Sequence, residues 1–138
     1  MITAFNVSKV EGQINKPDML SSQRFPRLGI NIDKVSATAE RISIEYSFNA
    51  DYADSDSKDA KNVGTIKLSG SIELQETKDR VAAIMKRWDE TKMLPKDLAE
   101  EVVNGLNFRC SATGTLIAYS LGLIPPLVIS RTTIEEKK

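Results

Sequence analysis

Asp51, Asp54, Asp56 and Asp59 form the one conspicuous carboxylate cluster of the chain. Oxygen ligands on a polar loop are the chemistry that calcium takes. The spacing is not that of an EF-hand, because the stretch lacks the glycine at the bend and the closing glutamate. A solvated loop between two strands is the simpler account. Cys110 is the only cysteine, and histidine is absent altogether. The commonest general base near neutral pH and the commonest transition-metal ligand are therefore both missing. A lone thiol on an apolar helix face, with no imidazole to activate it, reads as a small hydrophobe. Gly64 and Gly70 form no phosphate-cradling pattern, and Trp88 closes an apolar helical stripe. The residues point to no catalytic, cofactor or metal site, and the expectation is that the protein is not an enzyme.

Composition narrows the remaining classes. The 138 residues suit one domain able to bury a core without staples, and 41% hydrophobic with 28% charged residues is the balance of a globular protein. Nineteen basic and nineteen acidic residues cancel. A nucleic-acid partner is not expected, since binders normally carry a basic excess against phosphate. The single cysteine fits a reducing, cytoplasmic setting. Met1 to Asn6 shows no charged and then apolar leader, and no run approaches the roughly 18–20 apolar residues that cross a bilayer.

The elements that position these residues follow from periodicity. Phe5 and Val7 share one parity, and Val10, Gly12 and Ile14 the other, as in a strand with a bulge between the two sets. Asn15 to Pro26 reads as a connection, and Leu28, Ile30 and Ile32 as a short strand. Ile42, Ile44, Tyr46, Phe48 and Ala50 alternate cleanly, with Val35, Ala37 and Ala39 expected to extend that strand upstream, offset by one residue near Glu40. Ile66, Leu68, Gly70, Ile72 and Leu74 alternate too. Arg41–Ala50 and Val63–Gln75 are thus expected to form an antiparallel hairpin around the Asp51 to Asn62 loop. Gly70, on the apolar parity, predicts close approach by another element.

From Thr77 the period changes. Val81, Ile84, Met85 and Trp88 give an amphipathic helix with Thr77 as N-cap, ending near Asp89 or Glu90. Pro95 opens a longer helix, and Gly122 with Pro125 and Pro126 closes it near Leu121. Leu98, Val102, Leu106, Cys110, Ile117 and Leu121 trace one face, with Ala99, Val103, Thr113 and Leu116 beside it. Gly105 and Gly114 each cost about 1 kcal/mol in a helix interior, so tertiary packing must hold the segment. A break at Asn104–Gly105 is the alternative. Cys110, Gly114 and Ala118 fall at i, i+4 and i+8, where a second backbone could approach. They pack on the chain's own sheet or form a subunit interface, and an uncovered sheet face would favour a homo-oligomer.

The order of elements resembles the SecB-like family of protein-export chaperones, and within it small SecB-like proteins of uncertain role. The closest likeness lies in Asn107-Phe108-Arg109-Cys110, Leu116-Ile117-Ala118 and the stop Leu121-Gly122-Leu123-Ile124-Pro125-Pro126-Leu127. The resemblance implies an α+β fold, a twisted antiparallel sheet of about four strands followed by a short and a long C-terminal helix. The domain would span residues 1–130, with 131–138 as a charged, flexible tail. The implied function is a holdase or unfolded-polypeptide-binding module, a cytoplasmic homo-oligomer (dimer or tetramer) whose peptide-binding residues are unassigned. A specific protein–protein adaptor is the alternative, and a small enzyme is less favoured. Bacterial SecB continues past the proline turn into another helix, whereas here the chain ends twelve residues after Pro126. The pronounced acidic character with which SecB meets its export motor is missing too, so that partner is not carried over.

Overall fold

The computed structural model describes residues 2–127, and the expected domain boundary at 130 and the tail 131–138 lie outside them. Strand β1 (Ile2–Ile14) leads through a short 3-10 helix (Pro17–Ser22) to β2 (Arg27–Thr38), β3 (Arg41–Ala53) and β4 (Asn62–Gln75). Helices α1 (Lys78–Thr91) and α2 (Lys96–Leu121) follow. The strands form one antiparallel sheet in the order β1-β4-β3-β2, so β1 and β2 are its two edges.

The expected β3–β4 hairpin forms, and so does the bulge in β1, where the register with β4 shifts between Val7 and Lys9. One strand assignment changes. Val35 and Ala37 belong to β2, paired with Ile44 and Ile42, and the chain reverses at Ala39-Glu40 before β3 begins. Ala39 takes a left-handed φ of 52° in that turn. Residues that favour this conformation are glycine and asparagine, so an alanine there hides the turn from a reading of residue types.

Both helices cover the same face of the sheet. That face carries Ile42, Ile44, Tyr46, Phe48, Ala50 and Tyr52 from β3, all buried. Val81, Ile84 and Trp88 of α1 pack down on it, and Thr77 caps α1 by accepting a hydrogen bond from the Arg80 N–H. The Arg80 guanidinium also donates to Asp97 at 2.7 Å, tying the starts of the two helices together.

The opposite face is polar and carries no helix among the described residues. It presents Ser43, Glu45, Ser47 and Asn49 from β3, and Thr65, Lys67, Ser69, Ser71 and Glu73 from β4. The Ser43 hydroxyl donates to Glu73 at 3.0 Å, Ser47 to Asp33 at 3.3 Å and the Asn49 amide to Asp51 at 2.8 Å. Hydroxyls and charges in contact with water supply no hydrophobic drive, so this uncovered face gives self-association no apolar patch to bury.

Helix α2 is continuous through Asn104–Gly105. Its deepest residues, Leu98, Val102, Leu106, Cys110, Gly114 and Ala118, are each four apart, one i±4 ridge laid obliquely on the sheet. The glycines fit where something else occupies the side-chain space. A Cβ on Gly105 would stand 2.6 Å from the Phe5 ring, and one on Gly114 would stand 2.9 Å from Pro126. Gly122 closes the helix at φ 76°, as its left-handed cap position requires.

Candidate functional site

The candidate site lies along β1, the edge strand that the long helix accompanies. Phe5 pairs with Ile72, Val7 with Gly70 and Val10 with Leu68, so these side chains face the helix layer. Gly12 shares that face, and a Cβ on it would stand 2.7 Å from Leu121 and 2.8 Å from Ile117. Phe5 meets Gly105 near the middle of α2, and Gly12 meets the C-terminal end. The strand and the helix therefore run alongside each other in the same direction, with Val7 and Val10 between the two contacts.

Those two valines are not covered. Val7 is 45% and Val10 51% exposed, although both face the apolar side of the sheet. The outer surface of α2 adds Phe108, Leu116 and Tyr119, each more than 70% exposed. Single exposed apolar residues are ordinary on any protein surface, and several along one helix and one strand edge make this the candidate surface. Periodicity places Leu116 beside the buried face, and the structure turns it outward. The ridge is inclined to the helix axis, so at this level of α2 the sheet lies under Gly114 and Ala118 and Leu116 points away from it.

A charge sits at the start of this surface. The Arg109 guanidinium carbon lies 5.2 Å from the centre of the Phe5 ring, in cation–π range. None of the ion pairs among the described residues involves Arg109. Residues three and four away along α2, namely Gly105, Leu106, Ala112 and Thr113, include no carboxylate.

The bulge that shapes the edge is held from inside. The Tyr46 hydroxyl donates to the Asn6 carbonyl at 3.0 Å, immediately before the bulge. It does so through the space left by Gly70, where a Cβ would collide with that carbonyl. This is the close approach that Gly70 foretells in the sequence. Burial, and then the neighbouring Cys110, push the pKa of the Tyr46 hydroxyl up to about 12.

Cys110, Gly114 and Ala118 lie on the opposite side of α2 from the exposed aromatics. Cys110 and Ala118 are buried within the chain, and Pro126 and Phe48 fill the space beside Gly114. The groove where a second backbone could have entered is occupied by the chain itself. Burial pushes the pKa of the Cys110 thiol up to about 12, so it stays protonated and a poor nucleophile at neutral pH. In the acidic loop, Asp54 accepts from the Lys61 N–H at 2.8 Å, which makes it a turn-closing group. No cluster of three or more potential metal ligands occurs among the described residues, and no described helix is long and apolar enough to cross a membrane.

No protein-family model matches the chain, and no curated protein matches it. Among solved structures, it is similar to the SecB-like chaperone Rv1957 of Mycobacterium tuberculosis, solved in complex with a ChAD peptide from the Rv1956 HigA1 antitoxin. The likeness covers 100% of this chain and 91% of that one, with a TM-score of 0.56 and 10% sequence identity. The fold is SecB-like. At this identity the likeness concerns the path of the backbone and transfers no residue role. The SecB-like arrangement does place the edge β1 and the outer face of α2 side by side, and no residue type in the sequence announced that juxtaposition.

Proposed function

We propose that this SecB-like chain is a polypeptide-binding module, a holdase that takes extended segments of other proteins along β1. The observation that carries the reading is the β1 edge, which no strand pairs among the described residues, with Val7 and Val10 exposed on its apolar side. An edge strand offers main-chain donors and acceptors to any sequence, while adjacent apolar side chains reward clients that alternate in polarity. The other edge is less suited, because the apolar-side residues of β2, such as Ile30 and Ile32, are already half-buried and Val35 is buried. The peptide in the complex of the structural neighbour supports a polypeptide partner.

The outer face of α2 serves self-association in this reading. Phe108 and Tyr119 are eleven residues apart, which spans about 16 Å of helix, with Leu116 between them. A second copy laid against this stripe would remove three large apolar side chains from water. Such a homo-oligomer has a mass above that of the 15.3 kDa chain in light scattering at micromolar concentration. The cytoplasm is the setting that fits, since the one buried cysteine has no disulfide to make within the chain.

The test is suppression of aggregation. Several unrelated unfolded proteins are diluted from denaturant with and without a few-fold molar excess of the chain. Protection of most of them supports the holdase. Protection of a single one favours a specific adaptor, and protection of none removes the reading.

A further inference from the structure

We propose that Arg109 reads an acidic side chain in the bound segment. The β1 edge would then prefer an extended polypeptide with Asp or Glu opposite Phe5 and an apolar residue two positions away, opposite Val7. The proposal rests on the reading of β1 as a strand-accepting edge. Three observations carry it. Arg109 is exposed, is held against the ring of Phe5 on the edge strand itself, and has no ion pair among the described residues. A guanidinium over an aromatic face spends no N–H donor on the ring edge, and its planar fork matches a carboxylate. An added strand would lie about 4.8 Å beyond β1, which brings its helix-side chains to the outer side of Phe5, within the reach of a long arginine side chain.

Alternation supplies the second element of the pattern. Side chains on one face of a strand recur every two residues, so a carboxylate at the Phe5 level is followed on the same face by a side chain at the Val7 level. Val7 is the last residue before the bulge, so these two levels fall within one regular stretch of the edge.

The occupant with this chemistry is a foreign segment and not a second copy of β1. The helix-side residues of β1 are Ile2, Phe5, Val7, Val10, Gly12 and Ile14, none of them acidic. Glu11 faces the polar side of the sheet, where it pairs with Lys9 at 2.9 Å. A β1–β1 pairing that matched apolar sides would leave Arg109 without an anion. Charge complementarity thus selects a client.

Two fluorescein-labelled nine-residue peptides test this with the full chain, in anisotropy titrations at low salt. Both alternate valine with threonine, and they differ at one valine-parity position, which is Glu in one and Gln in the other. The Glu peptide should bind about fivefold more tightly, the scale of a partly exposed ion pair. That advantage should vanish in Arg109→Gln and persist in part in Arg109→Lys. Equal binding of the two peptides to the unaltered chain overturns the role of Arg109 and leaves the strand-accepting edge standing. An advantage retained in Arg109→Gln overturns it as well. Failure of both peptides to bind removes the β1 edge reading and this proposal with it.

Discussion

The Tyr46 hydroxyl donates to the Asn6 carbonyl at 3.0 Å, passing through the side-chain space that Gly70 leaves empty. Three strands meet in this contact: β3 supplies the donor, β1 the acceptor and β4 the vacancy. It fixes the outer strand immediately before its bulge, and so sets which stretch of the edge is regular enough to receive another strand. Tyr46→Phe should cost about 1 kcal/mol in urea unfolding, the net worth of one hydrogen bond. Amide exchange should rise locally around Val7 to Lys9. Gly70→Ala should cost more, about 2 kcal/mol or above, because its Cβ meets main chain that cannot move independently of the sheet.

Gly105→Ala tests why a glycine sits inside a long helix. In an isolated helix the change gains about 1 kcal/mol. Here the new Cβ would stand 2.6 Å from the Phe5 ring and displace it. The expected outcome is a lower melting temperature despite the better propensity. The displaced ring also loses its place under Arg109, so the Glu-over-Gln peptide preference should shrink in the same variant. A rise in melting temperature would mean that Phe5 moves aside at little cost.

Ala39→Gly should stabilise the protein by up to about 1 kcal/mol. An alanine at φ 52° carries left-handed strain that glycine does not, and the gain is reduced by the greater freedom of glycine in the unfolded chain. The midpoint of urea unfolding should shift upward with an unchanged slope.

Stability should fall with alkaline pH. Burial holds the pKa values of Cys110, Tyr46 and Tyr52 at about 12, above their ordinary values of 9.0 and 10.0. Above pH 8.5 or so the unfolded chain begins to release protons that the folded chain retains. The unfolded state then binds fewer protons, and stability declines as pH rises. The contribution is fully present below the unfolded values and is lost progressively toward pH 12. The melting temperature should fall from about pH 9 upward, and the fall should start later and be shallower in Cys110→Ala.

Much of this architecture is legible in the chain. Alternation from Ile42 to Ala50 and from Ile66 to Leu74 gives the central hairpin, and the change of period at Thr77 gives the helices. Pro95 and Gly122 bracket α2 because each suits a position where helical hydrogen bonding ends. The β2–β3 turn stays hidden because Ala39 is not a residue that marks turns. The exposed surface stays hidden for a different reason. Leu116 and Ile117 look alike in a periodic pattern, and only the oblique lie of α2 on the sheet sends one outward and the other against Gly12. Arg109 is ordinary until the sheet brings Phe5 beneath it.

The central claim is that β1 receives a polypeptide strand. Hydrogen exchange of the main-chain amides, with and without an unfolded client protein, addresses it most directly. Amides of β1 that point away from β4 have no partner in the sheet and should exchange quickly in the free chain. Client binding should slow those between Thr3 and Val7 at least tenfold, with little change along β2. Exchange along β1 that is unaltered when the client is bound, or protection confined to β2, would contradict it.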